Sequence, residues 1–230
     1  MTPKKLLAQV RSELARAADP KRAGPMQAYM KSAMPFHGCS SPVQKRIWKA
    51  LFAGLELSSA EKWRALVLGL WRGARFREER YAAIALCDHK RARPWLTLEA
   101  LPMLEEMIVS GAWWDYVDWI AQHHVGAILR NEPAKAKKIL LPWSTDENMW
   151  KRRTSIIAQN AFKKETDLAL LYACIEPSLD SKEFFLRKAI GWALRQYAWT
   201  DPREIARYVG ENETRLSGLS KREALKNVAR

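Results

Sequence analysis

Apolar side chains recur along this chain at steps of three and four, and no segment alternates convincingly as a half-buried strand would. Trp63, Leu66, Val67, Leu70 and Trp71 fall on one helical face. So do Tyr81, Ile84 and Ala85 with Asp88, and then Leu168, Leu171, Tyr172 and Ile175. Phe185, Ala189, Trp192 and Ala193 repeat the pattern, with Gln196 continuing the stripe. The spacing predicts about a dozen helices of roughly 8 to 18 residues. Ser58, Ser144, Asp180 and Ser220 each stand three positions before a Glu, the spacing of a capping box, in which two side chains satisfy backbone N–H groups left free at a helix start. Pro42 follows Ser41 as a first-turn proline does. Gly73, Gly111 and Gly210 sit where the preceding patterns stop.

The fold class is therefore all-α. Short connections between many short helices suit either a globular bundle or a solenoid of stacked antiparallel pairs. A period of around 40 residues fits the HEAT class, although the repeats share no strict consensus. Loops of twelve or more residues are missing between the halves, so residues 1–230 are expected to form a single domain.

Charge narrows the partner. The 230 residues carry 39 Lys and Arg against 25 Asp and Glu, a net charge of +14. That excess favours a polyanion, because each phosphate neutralised releases condensed counterions. It is uneven: residues 101–150 carry 4 basic and 7 acidic side chains, between two basic flanks. The longest uncharged stretch, Ser32–Gln44, contains Pro, His, Gln and Ser and falls short of the roughly 20 apolar residues of a membrane span. The N-terminus has no secretory signal pattern. Cys39, Cys87 and Cys174 are widely spaced and read as reduced thiols, the latter two packed in the core, so the expected location is the cytoplasm. His123 and His124 are adjacent and have no carboxylate at metal-ligand spacing, and no Gly-rich phosphate loop is present. Metal and cofactor are not expected. Anion binding then falls to helix N-termini and to Lys and Arg side chains, with Lys31, Lys188 and Arg195 among the candidates.

The most unusual segment is Gly111-Ala112-Trp113-Trp114-Asp115-Tyr116-Val117-Asp118-Trp119. In a helix, Trp114 and Asp118 lie one turn apart on one face, while Trp113, Val117 and Ile120 point to the core. Of the eleven tryptophans, Trp63, Trp71, Trp113 and Trp150 are the candidates for the core. From Pro25-Met26-Gln27-Ala28-Tyr29-Met30-Lys31 to Leu219-Ser220-Lys221-Arg222-Glu223-Ala224 the chain resembles the AlkD group of DNA alkylation repair enzymes, glycosylases built from HEAT-like repeats. The most specific matches are Trp113-Trp114-Asp115-Tyr116-Val117-Asp118 and the twelve residues Ser181–Trp192.

The resemblance implies one curved solenoid whose concave face holds duplex DNA, and which removes cationic alkylpurines of the 7-methylguanine and 3-methyladenine types. It implies Asp118 as the catalytic aspartate, Trp114 and Trp192 as the aromatic walls around the deoxyribose, and Arg153 as the arginine of that cleft. It also implies cleavage without base flipping, an exception among glycosylases. The expected state is a monomer.

The chemistry fits those roles. A purine alkylated at N7 or N3 is cationic and leaves as a neutral base, so it needs little acid catalysis. What grows is positive charge on the sugar, as in glycoside hydrolysis. A fixed carboxylate stabilises that charge and orients or deprotonates water, and tryptophan faces add cation–π attraction. An arginine repels a cation, so Arg153 is read as a phosphate-binding and positioning group. Two rivals remain: a non-catalytic helical-repeat module that binds DNA or protein, and a binder of structured RNA or branched DNA.

Overall fold

The computed structural model describes residues 1–228, and among them there are fourteen α-helices and no strand. The all-α class is as the spacing predicts, with neighbouring helices packed as stacked pairs. Contacts divide the chain into two compact units, Met1–Trp95 and Leu96–Arg230.

The first unit holds α1 (Pro3–Arg16), α2 (Pro20–Tyr29), α3 (Ser41–Ala53), α4 (Ala60–Gly73) and α5 (Arg77–Cys87). Helix α1 packs against α3, α4 and α5 through Leu6, Val10 and Leu14, each with no exposed surface. The stripe on α4 is as read: Trp63, Leu66, Val67, Leu70 and Trp71 are all buried. On α5 Ile84 is buried as read, but Tyr81 and Ala85 are half-buried, Asp88 is exposed, and the fully buried positions are Glu78, Glu79, Ala82, Ala83, Leu86 and Cys87. Buried carboxylates on this side are held by partners from outside the helix, Glu79 by Arg11 and Glu78 by a loop. The Glu78 carboxylate accepts N–H bonds from His37, Gly38 and Cys39 at 3.0, 2.9 and 3.2 Å.

The second unit holds α6 (Leu101–Gly111), α7 (Trp114–Trp119), α8 (Gly126–Asn131), α9 (Pro133–Trp143), α10 (Met149–Ile157), α11 (Leu168–Ile175), α12 (Phe184–Ala198), α13 (Pro202–Glu211) and α14 (Gly218–Ala224). Helix α10 lies at its centre and touches α6, α7, α9, α11 and α12. Helix α12 packs on α10, α13 and α14 through Leu186, Ala189, Ile190, Ala193 and Leu194. Cys39, Cys87 and Cys174 are all free and buried.

None of the four boxes forms where the sequence suggests. Ser59, one position later than read, caps α4 by accepting the Lys62 N–H. Ser144–Glu147 is a connection, and Asn148 caps α10. No side chain caps α12. Ser217 caps α14, so Ser220 lies inside that helix and Glu223 is carried round to the face against α12. A capping residue must be extended at the helix start, and only tertiary packing decides where that start falls. Gly73 and Gly111 do end their helices, while Gly210 lies one residue before the end of α13.

Helix α7 runs through a π-helical stretch, Ile120–Val125, into α8. At the transition the Gln122 side chain donates to the Asp118 carbonyl at 3.0 Å. Just beyond it, Gly126 passes α10 so closely that a Cβ would stand 2.7 Å from the Ala158 carbonyl oxygen. Replacing it forces the backbones apart. Gly126→Ala is expected to lower stability by about 1–3 kcal/mol in urea denaturation.

Candidate active site

Helices α7, α10 and α12 converge on a cleft of about 300 Å³ lined by Trp114, Asp118, Arg153, Phe184, Phe185, Lys188, Trp192 and Arg195. Each helix contributes by its own spacing. On α7, Trp114 and Asp118 are one turn apart, as the sequence predicts. On α12, Phe184, Lys188, Trp192 and Arg195 follow at steps of four, four and three, which keeps them on one face. That face is the opposite of the buried Ala189–Ala193 stripe, so Trp192 sits at the margin of the core rather than within it.

The centre of the cleft is an ion pair. Arg153 donates from Nε to one oxygen of Asp118 and from Nη2 to the other, each at 2.7 Å. Its Nη1 donates to the Phe185 carbonyl at 2.6 Å. This fork-on-carboxylate geometry is the strongest that an arginine makes. Trp113, Trp150 and Phe185 pack ring against ring, with centroids 5.0 to 6.3 Å apart, and the Arg153 guanidinium lies 5.9 Å from the Phe185 ring. Trp63, Trp71 and Trp150 are buried as expected, and Trp113 is half-buried.

Sequence reasoning reads Arg153 as a phosphate-binding and positioning group of the cleft. It does line the cleft, is 3% exposed, and directs its donors at Asp118 and Phe185. The sequence shows an arginine near an acidic segment but not which side chain it meets.

Burial lifts the Asp118 carboxyl above its ordinary value. The bonds and charge of Arg153 pull the other way, and the charge of Asp115 adds to the rise.

Lys188 and Arg195, named as DNA contacts, do line the cleft. Both are also tied to Glu223 of α14, Lys188 at 2.9 Å and Arg195 at 2.7 Å, with Lys226 at 2.6 Å on the same carboxylate. Lys31 belongs to the first unit, where it is exposed in a left-handed conformation after α2, and it is not among the residues of the cleft. Phe184, Phe185 and Glu223 carry no site role in the reading of the sequence. The four-four-three spacing on α12 could have identified Phe184. Nothing in the sequence marks Glu223, which reads there as part of a capping box. Among the described residues, no group of three or more His, Cys, Asp or Glu side chains is placed to hold a metal, and no helix is long and apolar enough to cross a membrane.

Two expectations follow from these charges. Asp118→Ala leaves Arg153 buried and unpaired, which is expected to cost about 3–5 kcal/mol. Asp118→Leu with Arg153→Met is expected to recover most of that loss in urea denaturation, since apolar groups of similar size need no partner. For Glu223, burial would raise the carboxyl, but the bonds from Lys226 and Lys188 and the charges of Lys188 and Arg195 outweigh it and hold the carboxyl at about 2, against an ordinary 4.5. A folded value below the unfolded one gives stability that is complete above pH 4.5 and lost as pH falls toward 2. Across that range the melting temperature of the wild type is expected to fall more steeply than that of Glu223→Gln.

The family described as DNA alkylation repair enzyme matches residues 10–228. A solved structure described as a predicted DNA alkylation repair enzyme from Enterococcus faecalis is 30% identical, with a TM-score of 0.83, covering 93% of this chain and 97% of its own. No curated protein matches. A match over nearly the whole chain, with a solved relative of the same fold, places this protein in the DNA alkylation repair enzyme family.

Proposed function

We propose that this protein is a DNA glycosylase that hydrolyses the N-glycosidic bond of cationic N3- or N7-alkylated purines in duplex DNA. The observation that carries the reading is a half-buried carboxylate, held in one orientation by an arginine, in a cleft that Trp114 and Trp192 also line. A module that only binds DNA has no need to fix a carboxylate there.

Magnitudes divide the work among these groups. A unit positive charge about 4 Å from Asp118 gains roughly 4 kcal/mol at an effective dielectric of about 20. Arg153 opposes it: at about 8 Å the guanidinium costs that charge roughly 2 kcal/mol, so about 2 kcal/mol remains. Cation–π attraction from each tryptophan adds about 0.5–2 kcal/mol. The aromatic walls therefore matter as much as the carboxylate. Arg153 contributes orientation, because its fork fixes the plane of the Asp118 carboxylate, whose remaining lone pairs align or deprotonate the attacking water.

The reading extends to how DNA sits. The cleft is open, and its cationic side chains, Lys188 and Arg195, suit a sugar–phosphate segment more than an enclosed base. This supports cleavage with the damaged base still stacked, so a bulky purine adduct is also expected to be a substrate.

Release of 7-methylguanine from methylated duplex DNA tests the proposal. Wild-type protein is expected to release it, Asp118→Asn at least about tenfold more slowly, and Trp192→Ala roughly two- to thirtyfold more slowly. The carboxylate must be ionised, so wild-type release is expected to fall as pH drops through the Asp118 value, which lies above that of a free aspartate. The residual activity of Asp118→Asn should lack that acid limb. Salt-dependent duplex binding without release would leave a binding module in place of the enzyme.

A further inference from the structure

Helix α14 comes close to α12 at Gly191, where an added Cβ would stand 2.5 Å from the Glu223 Cβ and 2.8 Å from the Ser220 carbonyl oxygen. The contact is pinned by the Ser220 hydroxyl, which donates to the Arg187 carbonyl at 2.9 Å. Glu223 thus reaches α12 from a backbone that cannot retreat, and it is 5% exposed. Its two oxygens meet cations from both sides of Trp192. Lys188, one turn before, bonds Oε1, and Arg195, almost one turn after, bonds Oε2 through Nη1. Each keeps further N–H groups for a second partner, since Lys has three and Arg five. The Lys188 side chain is 39% exposed and that of Arg195 is 25% exposed.

A surface carboxylate beside DNA-binding cations should weaken binding, since it repels phosphate. This one is buried behind them, and the cluster of Lys188, Arg195 and Lys226 around one Glu keeps an excess of positive charge. Holding two long side chains in place before binding removes the rotamer entropy that they would otherwise lose on binding.

We propose that Glu223 is a positioning residue that holds Lys188 and Arg195 as a preformed pair of phosphate-binding cations flanking Trp192 on the wall of the cleft. The inference rests on the reading of that cleft as the DNA site. It differs from simple electrostatics in sign: removing a negative charge should tighten DNA binding, whereas removing the anchor should loosen it.

The experiment compares wild type with Glu223→Gln, the single variants Lys188→Gln and Arg195→Gln, their double variant, and the triple variant. Affinity for an undamaged duplex is measured at several salt concentrations, with 7-methylguanine release by the wild type recorded alongside. Glu223→Gln is expected to weaken duplex binding about threefold or more despite its gain in positive charge. The same substitution is expected to have no such effect once Lys188 and Arg195 are gone. Lys188→Gln and Arg195→Gln, surface changes that leave the core intact, should each lower the salt slope by about 1, and they serve if Glu223→Gln does not fold. Unchanged or tighter binding by Glu223→Gln overturns the inference, as does an equal loss in the triple variant or an unaltered salt slope in both single variants. A wild type that shows the Glu223 effect on binding yet releases no 7-methylguanine upholds this inference and refutes the glycosylase reading instead.

Discussion

The second unit is organised around one buried ion pair. Arg153 comes from α10, Asp118 from α7, and the Phe185 carbonyl that takes the third bond belongs to the start of α12. Three helices are thereby fixed to one another by a single guanidinium. Such a pair contributes little net stability, since desolvating both charges offsets most of their attraction. What it contributes is geometry: two parallel hydrogen bonds allow one orientation of the carboxylate. Phe185, whose ring lies 5.9 Å from the guanidinium, joins the pair to an aromatic trio with Trp113 and Trp150.

The arrangement has a consequence for the chemistry. On the proposed glycosylase reading, an aspartate alone in the cleft would attract any cation strongly, the alkylated base before reaction as well as the sugar during it. Pairing with Arg153 reduces that attraction at long range more than at short range, because the opposing charge lies only a few ångströms farther back. Stabilisation is then concentrated close to the carboxylate. Stabilisation that is greater in the transition state than in the ground state is what accelerates a reaction.

Helix α12 shows how one element serves core and site together. Its inner face, Leu186, Ala189, Ile190, Ala193 and Leu194, is buried against α10, α13 and α14. Its other face presents Phe184, Lys188, Trp192 and Arg195 to the cleft. Small residues at 189, 191 and 193 let neighbouring helices come close, and the approach of α14 at Gly191 brings Glu223 behind the two cations.

Much of this was legible in the amino-acid sequence, because helix class, the pairing of Trp114 with Asp118 and the inner face of α4 all follow from local spacing. A period of 3.6 residues is a property of the backbone and needs no knowledge of neighbours. The resemblance carried by the Trp-Trp-Asp-Tyr-Val-Asp segment and by Ser181–Trp192 pointed to the same family that the whole-chain comparison shows. The tertiary structure alone decided where helices begin, that α5 buries Glu78 and Glu79, that Arg153 meets Asp118 rather than solvent, and that Glu223 faces Lys188 and Arg195. Each of these depends on contacts between residues far apart in the chain: 35 positions separate Asp118 from Arg153, and 28 separate Arg195 from Glu223. A charged side chain carries no local signal of its partner; only packing determines which opposite charge it meets, and how dry that meeting is.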